Sequence, residues 1–291
     1  MKTPVLLVIA ALLVAGLFSY TLKTDNRQFL DPACYTSCYA PDTRQQIGLD
    51  AAKPGFAALH AVPDYFRLEN PMGTMTSFKA EGGDAQGYLI RSKRKSNKWL
   101  LVIQEWWGLN DYIKKESDAF YQELGDVNVL ALDMYDGKVA TTTDSAMKYM
   151  RGASVSRLEN IVKGALAYVG PDARIYSVGW CFGGGWSLQT GIMAGKQGAG
   201  TVMYYGRPET NPDRLKMLNA DVIGFFGNKD QGIPPQAVDN FEKAMKEAGK
   251  NLTVYRYDAG HGFANPSNPV YDKAATEDAH AKAIAFLKAR M

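Results

Sequence analysis

Arg174-Ile175-Tyr176-Ser177-Val178-Gly179-Trp180-Cys181-Phe182-Gly183-Gly184-Gly185 passes from an apolar run with no polar face, through a glycine cluster, into a segment of helical periodicity over 182–193. A strand without a polar face is buried on both sides, the condition inside a parallel sheet. Working outward, similar runs recur at 99–104, 127–133, 201–205, 222–226 and 252–257. Helical periodicity fills the intervals at 113–124, 156–169, 235–248 and 277–288. Before them, 75–79 and 86–91 flank Glu81-Gly82-Gly83-Asp84 and predict an antiparallel hairpin. Strand alternating with helix predicts an α/β fold, with a mostly parallel sheet covered by helices on both faces and an antiparallel start. The regular pattern spans 71–291, one domain.

Composition narrows the class further. The chain has 291 residues, 46% of them hydrophobic, enough to bury a core and exclude a disordered chain. Three cysteines at this length cannot form a disulfide scaffold. A balance of 33 basic against 30 acidic residues leaves +3, which gives no electrostatic case for nucleic acid.

The first 22 residues read differently. Lys2 precedes an unbroken apolar run from Val5 to Phe18, extendable to Leu22. A positive start followed by such a run predicts a secretory signal or an uncleaved membrane anchor over 1–22, with 5–22 as the tether. Either places the rest of the chain outside the cytoplasm, periplasmic or secreted. Residues 23–70 read as a linker or irregular cap. Within it, Cys34 and Cys38 suit a local disulfide, with a thiol redox pair as the alternative. His60, alone in this segment, is expected to be a solvent-facing bystander.

In open α/β sheets, chemistry gathers at the carboxyl ends of the strands. Gly179-x-Cys181-x-Gly183 stands there, between strand and helix, as a nucleophile elbow with cysteine in place of serine. The sharp turn lifts the side chain into the open, and the helix start favours a thiolate and an oxyanion. A glycine-rich phosphate loop, or a buried inert cysteine, is the competing reading. Asp230 and His261 follow later strands in the order nucleophile, acid, histidine. His280, within Asp278-Ala279-His280-Ala281-Lys282, reads as a helix-surface residue. Neither H-E-x-x-H nor paired C-x-x-C is present, so no metal site or cofactor is expected.

Six segments together resemble the dienelactone hydrolase (carboxymethylenebutenolidase) family of the α/β-hydrolase superfamily. They are Gln104-Glu105-Trp106-Trp107-Gly108-Leu109-Asn110, Leu132-Asp133-Met134-Tyr135, Gly179-Trp180-Cys181-Phe182-Gly183-Gly184, Tyr204-Tyr205-Gly206, Gly227-Asn228-Lys229-Asp230 and Ala259-Gly260-His261-Gly262-Phe263. The resemblance implies a hydrolase of small esters or lactones with a Cys181–His261–Asp230 triad and an acyl-thioester intermediate. It implies an oxyanion hole from the N–H groups of Trp106 and Phe182, and a Glu105 that helps generate the thiolate. Trp107 and Trp180 are expected at the substrate site. So is Asn265, which stands where the family carries a carboxylate-binding arginine. A non-catalytic ligand-binding module on the same scaffold is the alternative. Oligomeric state has no signature here.

Overall fold

In the computed structural model, which describes residues 42–291 apart from Pro54, Arg174–Trp180 is a strand in the middle of an eight-stranded sheet. The strands are β1 (Thr74–Phe78), β2 (Ala85–Ile90), β3 (Lys98–Ile103) and β4 (Asn128–Leu132). They continue with β5 (Arg174–Trp180), β6 (Gly198–Tyr204), β7 (Asp221–Gly227) and β8 (Leu252–Tyr257). Their order across the sheet is β1-β2-β4-β3-β5-β6-β7-β8. β1 pairs antiparallel with β2, and β2 with β4; every later pair is parallel. This is the mostly parallel α/β sheet with an antiparallel start that the sequence predicts.

The helices are α1 (Thr43–Leu49), α2 (Asp111–Leu124), α3 (Thr143–Gly152), α4 (Val155–Val169) and α5 (Phe182–Ala194). α6 (Pro212–Leu215), α7 (Pro235–Glu247) and α8 (Lys273–Lys288) follow. α2 and α8 pack together on one face of the sheet; α4, α5 and α7 cover the other. The central strands carry buried residues at nearly every position, as a sheet covered on both sides requires. β8 departs from its expected character. Leu252–Tyr257 has only half-buried and exposed positions, because it is the sheet's last strand.

Residues 42–60 add to the core. Ile47, Ala51 and Phe56 are buried against the main cluster. Arg207 Nε donates to Asp50 at 2.6 Å, and Arg44 pairs with Glu159 of α4, so this strap is tied to the domain by charge as well as apolar contact. The expected leader over 1–22 and the Cys34–Cys38 pair lie outside the described residues. Among the described residues no helix is long and apolar enough to cross a membrane.

Candidate active site

Cys181 ends β5 and opens α5 with φ +53° and ψ −116°, a region that non-glycine residues rarely occupy. Such a conformation costs on the order of 1–3 kcal/mol and persists only where its surroundings hold it. The Cys181 N–H donates to the Tyr204 carbonyl at 3.0 Å, and its own carbonyl accepts from Gly184 and Gly185. The flanking glycines are a steric necessity. A Cβ on Gly179 would lie 2.1 Å from the Gly183 carbonyl oxygen, and one on Gly183 would lie 2.3 Å from the Gln104 and Ile103 oxygens.

Two other strand ends bring His261 and Asp230 to this elbow. His261 Nε2 lies 3.2 Å from Cys181 Sγ, and its Nδ1 lies 2.7 Å from Asp230 Oδ2. Asp230 Oδ1 accepts from the N–H groups of Gly232 and Ile233 at 2.7 and 2.8 Å, which reserves Oδ2 for the imidazole. Because a carboxylate only accepts, Nδ1 carries the proton and Nε2 presents a lone pair to the sulfur. All three side chains are buried.

Burial pushes the Cys181 thiol up, with Glu105 adding to the rise while His261 and the Phe182 N–H oppose it. Burial works against a charged His261, and it is the ionised Cys181, together with Asp230, that raises its pKa well above the ordinary imidazole value. The neutral thiol is thus the resting form, with an imidazolium favoured as soon as sulfur gives up its proton. Glu105 is pushed up to about 7 by burial, against the lowering effects of His261 and Asn265. Among the described residues, neither the Trp106 nor the Phe182 N–H donates to a backbone carbonyl.

The remaining expected residues divide. Asn265 reaches the site through Glu105, donating to its Oε2 at 2.7 Å. Trp107 is fully buried beside Trp106, with ring centroids 4.8 Å apart. Trp180 stacks on Tyr204 and approaches Phe120 of α2, on the opposite side of the sheet from α5. The cavity at Cys181 and His261 is walled instead by Ile47, Phe56, Met150, Phe182 and Ile233, with Lys53 and Arg207 as its cationic residues.

His60 corrects the sequence-based expectation. Far from facing solvent, it is 4% exposed, stacked on Phe56 at 4.4 Å and tilted against Trp106 at 4.8 Å. Its Nδ1 lies 2.7 Å from the Phe56 carbonyl and its Nε2 3.6 Å from Cys181 Sγ. The local bond four residues back satisfies one ring nitrogen, which lets the ring be buried. No motif marks it; the only sequence signal is an aromatic one helical turn earlier.

A family model described as the dienelactone hydrolase family matches residues 85–291. Protein usf of Aquifex pyrophilus is 29% identical over 234 residues, covering 75% of this chain and 98% of that protein. Carboxymethylenebutenolidase 1 of Cupriavidus pinatubonensis is 24% identical over 224 residues, covering 71% of this chain and 92% of that one. Among solved structures, a dienelactone hydrolase-like promiscuous phosphotriesterase from metagenomic libraries matches with a TM-score of 0.65 at 18% identity. That match covers 75% of this chain and 99% of the other, and concerns the fold. The chain therefore belongs to the dienelactone hydrolase family, with its α/β-hydrolase fold.

Proposed function

We propose that this hydrolase cleaves a small ester or lactone through Cys181. His261 takes the thiol proton as sulfur attacks the carbonyl carbon, and the tetrahedral oxyanion sits against the N–H groups of Trp106 and Phe182. Collapse expels the alkoxide, which receives the proton from His261, and leaves an acyl-thioester. Water then attacks the thioester with His261 as base, and the carboxylic acid leaves as Cys181 regains its proton. Asp230 fixes the imidazole tautomer and stabilises the imidazolium. Glu105, whose charge raises the thiol pKa and whose own pKa lies near neutrality, keeps the resting nucleophile protonated and assists its ionisation when substrate arrives.

The observation that carries this reading is the unbroken chain from Cys181 Sγ through His261 to Asp230, 3.2 and 2.7 Å, at a strained strand-to-helix turn. The apolar walls favour a compact hydrophobic acyl group, and the relative named carboxymethylenebutenolidase supports an ester or lactone. An extracytoplasmic location, resting on the apolar run at 5–22, belongs to the same proposal. Hydrolysis of chromogenic short-chain esters tests it. Cys181→Ala should abolish the reaction, whereas full activity in that variant would refute a cysteine mechanism.

A further inference from the structure

Cys181 faces two imidazoles, and the hydrolytic reaction uses one. His60 Nε2 lies 3.6 Å from the sulfur and His261 Nε2 3.2 Å. The two nitrogens and the sulfur all fall within 4.8 Å of one another, and all three residues are buried. Sequence separations of 121 and 80 residues hide this cluster from any spacing rule.

The orientation of both rings is fixed from behind. His60 Nδ1 meets the Phe56 carbonyl at 2.7 Å, and His261 Nδ1 meets Asp230 at 2.7 Å. Each partner is an acceptor, so each Nδ1 carries its proton and each Nε2 offers a lone pair to the same point. A thiol has one proton and can satisfy one of them. A ring nitrogen tied to a carbonyl or carboxylate, with the other ring nitrogen free to ligate, is the usual arrangement of a metal-bound histidine. Asn268 reinforces the pairing, since its Nδ2 donates to the Leu59 carbonyl at 2.8 Å and to the His261 carbonyl at 3.4 Å.

We propose that His60, Cys181 and His261 together bind a thiophilic divalent cation of the zinc class. Tetrahedral bonds of about 2.3 Å to sulfur and about 2.0–2.1 Å to nitrogen set sulfur and nitrogen about 3.6 Å apart, and the two nitrogens about 3.3 Å apart. The sulfur–nitrogen distances already match within a few tenths of an ångström, and the two rings need approach by at most about 1.5 Å. Binding replaces the thiol proton, which leaves to solvent, with a metal–thiolate bond. Two nitrogens and one sulfur suit zinc or cobalt and disfavour magnesium or calcium, which take oxygen ligands. The cavity at Cys181 and His261 gives a fourth, exogenous ligand its entry. If the hydrolase reading above holds, the loaded protein has neither a free nucleophile nor a free base, and the cation acts as a reversible inhibitor.

The binding is tested without substrate, so it stands or falls apart from the hydrolase reading. Cobalt(II) added to metal-free full-length protein should bind one equivalent and produce a thiolate-to-cobalt absorption in the near ultraviolet. Cys181→Ala should lack that band, and His60→Gln should weaken affinity by at least about 100-fold, more than the loss of a supporting partner of a ligand. Absence of the band, or equal affinity in His60→Gln, would overturn the site. X-ray absorption of the zinc-loaded wild type guards against a variant that fails to fold. One sulfur and two imidazoles in the first shell support the proposal; a shell without sulfur, or with one imidazole, contradicts it.

Discussion

Asn265 donates its side-chain N–H to Glu105 Oε2 at 2.7 Å, while its own Oδ1 accepts from the Ser267 N–H at 2.9 Å. The second bond fixes which end of the amide faces the carboxylate. Asn265, which the resemblance sets at the family's arginine position, is thus turned inward onto Glu105, and lacks the charged fork that grips a free carboxylate. Asn265→Ala should remove a lowering influence on Glu105 and carry its pKa above about 7. The limb of the activity profile governed by Glu105 would then move to higher pH. A profile superimposable on wild type would show that the bond does not tune Glu105.

Glu105→Gln should slow acylation more than it weakens binding, as read in single-turnover kinetics with a chromogenic ester. Unchanged acylation would remove Glu105 from the mechanism. The same variant has a stability signature. A carboxyl at about 7 in the folded protein and 4.5 in the unfolded chain holds its proton longer when folded. Its contribution to stability therefore falls as pH rises from 4.5 through about 7. Relative to wild type, Glu105→Gln should gain thermal midpoint at about pH 8 and gain least at about pH 4. A midpoint difference independent of pH would contradict a Glu105 that holds its proton to about pH 7.

Asp230 divides its oxygens, one to the Gly232 and Ile233 N–H groups and one to His261. Asp230→Asn keeps the shape but lets the imidazole adopt the wrong tautomer. We expect kcat to fall by about 10²–10⁴ with a much smaller change in KM. A variant with near wild-type kcat would show that His261 does not depend on Asp230 for its orientation.

The elbow makes a packing prediction. At Gly183 a Cβ would meet two backbone oxygens at 2.3 Å, neither of which can rotate away. Gly183→Ala should cost about 1–3 kcal/mol or more in urea unfolding and disturb the Phe182 N–H. Gly152, where a Cβ would meet nothing within 4 Å, provides the control. Gly152→Ala should be neutral, or stabilising by about 0.4–1 kcal/mol through the unfolded chain. Equal effects at the two positions would refute the steric account of the elbow.

The sheet and the elbow were legible because both rest on local signals. β5 runs from Arg174 to Trp180 as its apolar run and glycines predict, and the residues ending β5, β7 and β8 meet where the strand-end rule places chemistry. Trp180 illustrates a signal available but not used. Strand side chains alternate, so Trp180 packs with Phe120 and Tyr204 on the α2 side while Cys181 turns toward α5 and its cavity. α3 lacks an acidic residue at the position three past Thr142; its capping box closes through Ser145. His60 had no local signal beyond Phe56 one turn earlier. Its burial depends on Phe56, Trp106 and His261, contacts that form only once the strap of residues 42–60 lies against the strand ends.

Trapping of the covalent intermediate tests the central claim most directly. Full-length protein mixed with a slowly deacylating chromogenic ester and quenched in acid should gain the mass of one acyl group, localised by peptide mass spectrometry to Cys181. An acyl group found on another residue, or product formed with no acyl-protein in the pre-steady state, would contradict the cysteine mechanism.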